Sequence, residues 1–232
     1  VFAGGVMVLS AVFDSLGVEQ MLVSDGALRE GLLYDQVGRI HHADVRDNSI
    51  NAFSERFSVD RAHVERVRKT AYKLYDFCAD EWGIRDEEKR HLLSWAAEVH
   101  EAGLAISHNQ YHKHGAYLVE YSDLAGFTRE QQKALAVLVR LHRRKFSDKM
   151  FDGLTGDCSD GLKYLAVLFR VAVLLHRSRI DREFRGLRVT AEPDKLTLEF
   201  PDGWLDKHPL NKAGLKEEKQ YLAGADIKLE FS

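Results

Sequence analysis

Two cysteines, three prolines and no apolar run of membrane-spanning length are what this 232-residue chain has least of. Cys78 falls in a helical pattern and Cys158 in a polar loop, so a disulfide framework is not expected and a reducing, cytoplasmic setting fits. The greasiest stretch, Leu162 to Leu175, is interrupted by Lys163 and Arg170 and falls short of the roughly 18 to 20 apolar residues that cross a bilayer. Excess charge of one sign is also missing. A formal net charge of −3 gives no global attraction to a polyanion, so any such role has to come from local charge. What remains, 45% hydrophobic and 30% charged residues, is the balance of a folded, cored protein.

The chain opens on VFAGGVMVLSAVFDSLGV, which has no initiating Met, basic leader or cleavage site and reads as the interior of a longer protein. Gly4 and Gly5 read as a tight turn leading into a helix that stops at Gly17, a place where free backbone N–H groups can hold phosphate. Residues 20–35 read as a strand, a Ser-Asp-Gly turn and a second apolar segment. From about Ile40 to Phe57 the text is polar, and a domain boundary is expected there. Helical periodicity then runs through Val59–Trp82, Asp86–His100, Tyr111–Tyr121, Thr128–His142 and Leu162–Arg179. Near the end LRVTAEPDKLTLEF predicts a hairpin around Pro-Asp, followed by a short helix near Leu215–Leu222 and a strand, IKLEF.

Eleven histidines recur at the helices: His63, His100 beside Glu101, His112 and His114 around Lys113, and His142. This order resembles the HD phosphohydrolase superfamily, whose histidines and His-Asp doublet imply a divalent cation that activates water. Two positions depart from that pattern. Glu101 stands for the doublet's Asp, and Val173 for the last metal-binding Asp. A metal-free bundle is therefore expected, with His63 and His100 hydrogen-bonded across its core and His63, His100 and Glu101 as the remnant of the site. Tyr111, Tyr117 and Tyr121 are expected to pack, and Trp82, Trp95 and Trp204 to sit in the core or an interface.

Read together, WAAEVHEAGLAISHNQYHKHGAYLVEYSDLAGFTREQQ is similar to the exopolyphosphatase and guanosine pentaphosphate phosphohydrolase (Ppx/GppA) family. The likeness extends upstream to VFAGGVMVLSAVFDSLG and to VSDGALREGLLYD with Arg29, Glu30 and Gly31, and downstream through LVRLHRRK and LAVLFRVAVLLHRSR. It implies a mostly α fold: residues 1–40 as the end of an actin-like ATPase (ribonuclease H-like) lobe, 41–180 as an HD-like helical domain, and 181–232 as a small α+β module.

The resemblance also implies a function. Family members cleave terminal phosphate in a cleft between two actin-like lobes, where the magnesium ion and the catalytic acids lie outside this chain. Gly4 and Gly5 match the glycine turn at that cleft. The expected role of this half is to hold the polyanion through Lys113, His114, Arg140, Arg143, Arg144 and Arg177, with Lys145 and Arg179 nearby, because guanidinium forks match phosphate oxygens. Arg143 to Lys145 could equally form a solvent-facing turn that offsets a helix dipole. Exopolyphosphatase activity of the parent protein is the leading reading, with this piece inactive alone and homodimeric and no specific nucleic-acid binding. Guanosine pentaphosphate hydrolysis, HD-type metal hydrolysis and a non-catalytic polyanion-binding or dimerisation module are the alternatives.

Overall fold

A computed structural model of the protein describes residues 2–18, 44–154, 159–181 and 184–232. The sequence readings at residues 20–35, at Arg29 to Gly31 and at Cys158 lie outside them. The chain forms two compact units, residues 1–43 and 44–232. Among the described residues no helix is long and apolar enough to cross a membrane.

In the first unit, α1 spans Phe2–Leu16 and ends at Gly17, whose φ of +61° is the left-handed stop the sequence suggests. Gly4 and Gly5 lie inside this helix and not in a turn ahead of it. The apolar run that follows propagates the helix back through them, at a cost of about 1 kcal/mol per glycine relative to alanine. The outer positions of α1 are apolar and uncovered, Met7 at 74% and Leu16 at 73% exposure.

The second unit begins with a helix where a polar linker was expected. In α2, Val45–Arg56, the Asp44 carboxylate accepts from Arg46 N at 2.9 Å, and only Ile50, Phe53 and Ser54 are buried. Two apolar anchors three residues apart hold one stripe of α2 down, too little periodicity to stand out among polar residues. Asp60 caps α3 (Arg61–Cys78), Asp86 caps α4 (Glu87–Val99), and a reciprocal Thr128–Gln131 capping box opens α6 (Arg129–Leu141). Between α4 and α6 come a 3₁₀ turn, Ala102–Ala105, and α5, Tyr111–Tyr121. At Gly103 the turn and α5 meet so closely that a Cβ would lie 2.0 Å from the Tyr111 carbonyl oxygen.

Helix α7, Leu162–Leu175, is buried on nearly every side and packs against α3, α4 and α6 as the axis of the core. It stops short of the expected Arg179, at His176, whose Nε2 lies 2.7 Å from the Thr70 hydroxyl. The hairpin forms as read, with β1 (Arg188–Glu192) antiparallel to β2 (Lys195–Glu199) across Pro193–Asp194. A one-turn helix α8 (Trp204–Lys207) and α9 (Pro209–Ala223) lead to β3 (Lys228–Phe231), which pairs parallel to β2. Helix α9 begins six residues before the expected start. Pro209 at its first turn fixes a helical φ, and Gly214 lets it approach the Leu174 side chain. Val189, Leu196, Leu198 and Leu229 face the core from the sheet.

Cys78 is buried in α3, and burial pushes its thiol up to about 12. Trp82 and Trp95 are core residues, while Trp204 stacks between Phe200 and His208.

Candidate functional site

Four buried imidazoles run in a row through the bundle. His63 of α3 lies 5.6 Å from His100 between ring centroids, His100 lies 5.3 Å from His142, and His142 lies 6.2 Å from His112. The expected hydrogen bonds across the core are not what holds them. His100 and His142 each stand at the end of a helix, where Nδ1 bonds a carbonyl of the last turn, Ala97 at 2.8 Å and Val139 at 2.6 Å. That bond makes Nδ1 the donor and leaves each Nε2 lone pair buried without a partner. Burial pushes His63 to about 4, against the raising influence of Glu101, and lowers His100 and His142 too. All are neutral at pH 7.

His63, His100 and Glu101 each offer a ligand atom within 4.8 Å of one another. The remainder of the arrangement does not suit a cation. Arg179 Nη2 donates to both Glu101 oxygens, at 2.6 and 2.8 Å, while Nη1 donates to Asp60 Oδ2 at 2.9 Å. A guanidinium thus already neutralises the carboxylate a metal would need, and Val173 lines the same cavity. The residues do not fit a catalytic metal.

A second cavity, about 730 Å³, opens beside the far end of this row. Lys113 reaches it from the first turn of α5, Arg140 from the last turn of α6, and Arg143, Arg144 and Lys145 from the turn that follows. Among the described residues that line it none is acidic, and none of these five cations has an ion-pair partner among the described residues. No side chain caps the N-terminus of α5, where Gln110 adopts a left-handed φ of +56° and lines the cavity. The first-turn N–H groups of α5 add their partial positive charge to the same space.

The basic turn is held from behind by a buried ion pair. Arg170 of α7 is 1% exposed and pairs with Glu218 of α9, 3% exposed. It also donates to the Leu141 carbonyl and, at 2.7 Å, to that of Arg144. Those bonds satisfy carbonyls at the end of α6 and fix Arg144 in a left-handed φ of +65°. Arg143 through Lys145 are therefore a cavity wall, not only a dipole-compensating turn.

His112, 4% exposed, is pushed down to about 4 by burial and by the surrounding Arg140, Arg143, Lys113 and Arg144. Arg143 lies over the Tyr111 ring at 4.7 Å and borders both this cavity and the adjoining one of about 440 Å³. Arg177 lines that adjoining cavity with Arg179 and His63. His114 is half-buried and lines neither. His108, Gln110 and Ser147 line the main cavity without having been singled out from sequence. Their signal would have been their place in the loops directly before α5 and after the basic turn. Tyr111 is buried, but Tyr117 and Tyr121 are 62% and 65% exposed and do not pack as expected.

A helical bundle, a buried imidazole row whose neighbouring carboxylate is paired with a guanidinium, and a cavity walled by cations stand together in the second unit. The chain belongs to the Ppx/GppA phosphatase family: residues 45–219 match its domain III and residues 1–40 match the general family description. It is similar to curated proteins named guanosine-5'-triphosphate,3'-diphosphate pyrophosphatase. The one from Pseudoalteromonas translucida is 35% identical over 99% of this chain and 46% of its own length. Those from Vibrio cholerae and Aeromonas hydrophila are 36% and 34% identical, over 94% of this chain and 44% of theirs. The chain thus spans less than half the length of the relatives it matches.

Proposed function

We propose that this chain is the substrate-holding part of a hydrolase that removes the terminal phosphate of guanosine pentaphosphate. The relatives' names favour this nucleotide over inorganic polyphosphate, which the sequence put first. The observation that carries the reading is the cavity itself: five cations and an uncapped helix N-terminus around about 730 Å³, with no acid among the described lining residues. Arg140, Arg143 and Arg144 present forks to phosphate oxygens, Lys113 and Lys145 add point charges, and Arg177 and Arg143 continue the path into the neighbouring cavity. Each charge-assisted bond contributes roughly 1.5 to 3 kcal/mol when partly desolvated.

Cleavage is assigned to actin-like lobes that this chain does not supply in full. There a magnesium ion would neutralise charge on the transferred phosphoryl group. The residues described here bind and orient the phosphate chain, and the chain alone is expected to release no phosphate. A homodimer in cytoplasm completes the proposal.

The test is a side-by-side assay of the whole protein on guanosine pentaphosphate and long-chain polyphosphate with magnesium. Faster release of orthophosphate from the nucleotide supports the proposal. Release from polyphosphate alone would return the protein to exopolyphosphatase, and release from neither would end both readings.

A further inference from the structure

Next to the cationic cavity runs a second groove, about 510 Å³, that shares Lys113 and Arg140 with it. Its floor carries two exposed tyrosines. Tyr117 and Tyr121 sit one turn apart on the outer face of α5, 62% and 65% exposed, with ring centroids 4.8 Å apart and planes at 39°. Neither phenol makes a hydrogen bond among the described residues, and no core contact accounts for two large rings held side by side in water. Around them stand four cations, Lys113, Lys133, Arg140 and Lys149, and two acids, Asp152 and Glu120, of which Glu120 is on the same helix as the rings and has no ion-pair partner among the described residues. Exposed aromatic faces flanked by cations are the composition of a base-stacking surface, since every base offers a π-face and its phosphates need positive charge.

The spacing fits one molecule. At 1.5 Å per residue, Tyr117 lies about 6 Å and Tyr121 about 12 Å along α5 from Lys113, the scale that separates a nucleotide's base from its phosphates. Glu120 lies between the rings in sequence and can only accept. Guanine presents two adjacent N–H donors on its pairing edge, which a carboxylate accepts together. Adenine presents one donor beside an acceptor, which it repels.

We propose that this groove is a guanine site, in which the base stacks on Tyr117 and Tyr121, gives its pairing-edge donors to Glu120, and leads its phosphates over Lys113 and Arg140 into the cationic cavity. The inference rests on the reading of that cavity as a phosphate site.

The test is calorimetric titration of the 232-residue chain with GTP, ATP and inorganic tripolyphosphate at one ionic strength. GTP should bind tightest and tripolyphosphate weakest. Stacking of one base corresponds to about 1 to 3 kcal/mol, so the Tyr117→Ala/Tyr121→Ala double variant should lose about tenfold in GTP affinity and little in tripolyphosphate affinity. Glu120→Gln should erase the preference for GTP over ATP. Tyr117 and Tyr121 are exposed and Glu120 is half-buried at the groove, so the variants are expected to fold, which circular dichroism checks.

If GTP binds no tighter than tripolyphosphate, or the tyrosine variant weakens both alike, the guanine site is wrong. In that case tripolyphosphate binding that is lost in Arg143→Ala/Arg144→Ala would leave the phosphate cavity standing. No binding of tripolyphosphate would remove both. A changed oligomeric state in the tyrosine variant with unchanged GTP affinity would assign the rings to a subunit contact and overturn the inference.

Discussion

Replacing Glu218 with leucine should unfold the protein more readily than any comparable surface change, because it strands a guanidinium. Arg170 is 1% exposed, and Glu218 is its partner on α9. Two carbonyls, of Leu141 and Arg144, still accept from Arg170 in the variant, but neither carries charge. Breaking a buried pair from one side costs about 3 to 5 kcal/mol. With a urea slope near the upper end of the usual range, about 3 kcal/mol per molar, the midpoint should fall by about 1 to 1.7 M. Urea titration followed by circular dichroism reads this directly. The double variant Arg170→Met/Glu218→Leu removes both charges and should recover most of the loss. It should nevertheless bind polyphosphate more weakly, because the carbonyls of the Arg143–Lys145 turn lose the donor that fixes them. A Glu218→Leu cost under about 1 kcal/mol, or a double variant no better than the sum of the singles, would refute the argument that this pair supports the cavity wall.

Polyanion affinity should rise as pH falls from 7 toward 5. Burial and cations hold His112 at about 4 in the free protein, and a bound anion favours its protonated form, so binding takes up a proton. Titration at several pH values checks this, and His112→Asn should flatten the profile. Arg179→Ala should expose Glu101 and let His63, His100 and Glu101 take up a divalent transition metal, read as retained metal after dialysis. Gly103→Ala should cost more than about 3 kcal/mol in urea unfolding, since its Cβ meets the backbone carbonyl of Tyr111 at 2.0 Å.

Much of this fold is written in periodicity. The apolar faces of α3, α4, α6 and α7 repeat strongly enough to be read from the sequence, and the two-residue turn at Pro193–Asp194 announces its hairpin. Helix α2 was hidden because two buried anchors in twelve residues leave almost no periodic signal, and its Asp44 cap looked like one more polar residue. The basic residues of the cavity were visible as residues, but their convergence was not. It depends on Arg170, which the sequence offers only as an interruption of an apolar run, and on a Glu218 partner 48 positions away. Arg179 gave no hint of its place in the imidazole site, because a left-handed residue after a helix end is aimed by tertiary contacts and not by spacing. Tyr117 and Tyr121 show the opposite case. Helical spacing of aromatics suggested packing, but their stripe of α5 faces outward.

The most direct measurement is the affinity of this chain for guanosine pentaphosphate and for long-chain polyphosphate, in native form and as Lys113→Ala/Arg143→Ala/Arg144→Ala, at two salt concentrations. The account predicts binding that weakens as salt screens the cavity and that the triple substitution largely abolishes. Binding indifferent to the three substitutions, or no binding at low salt, would contradict it.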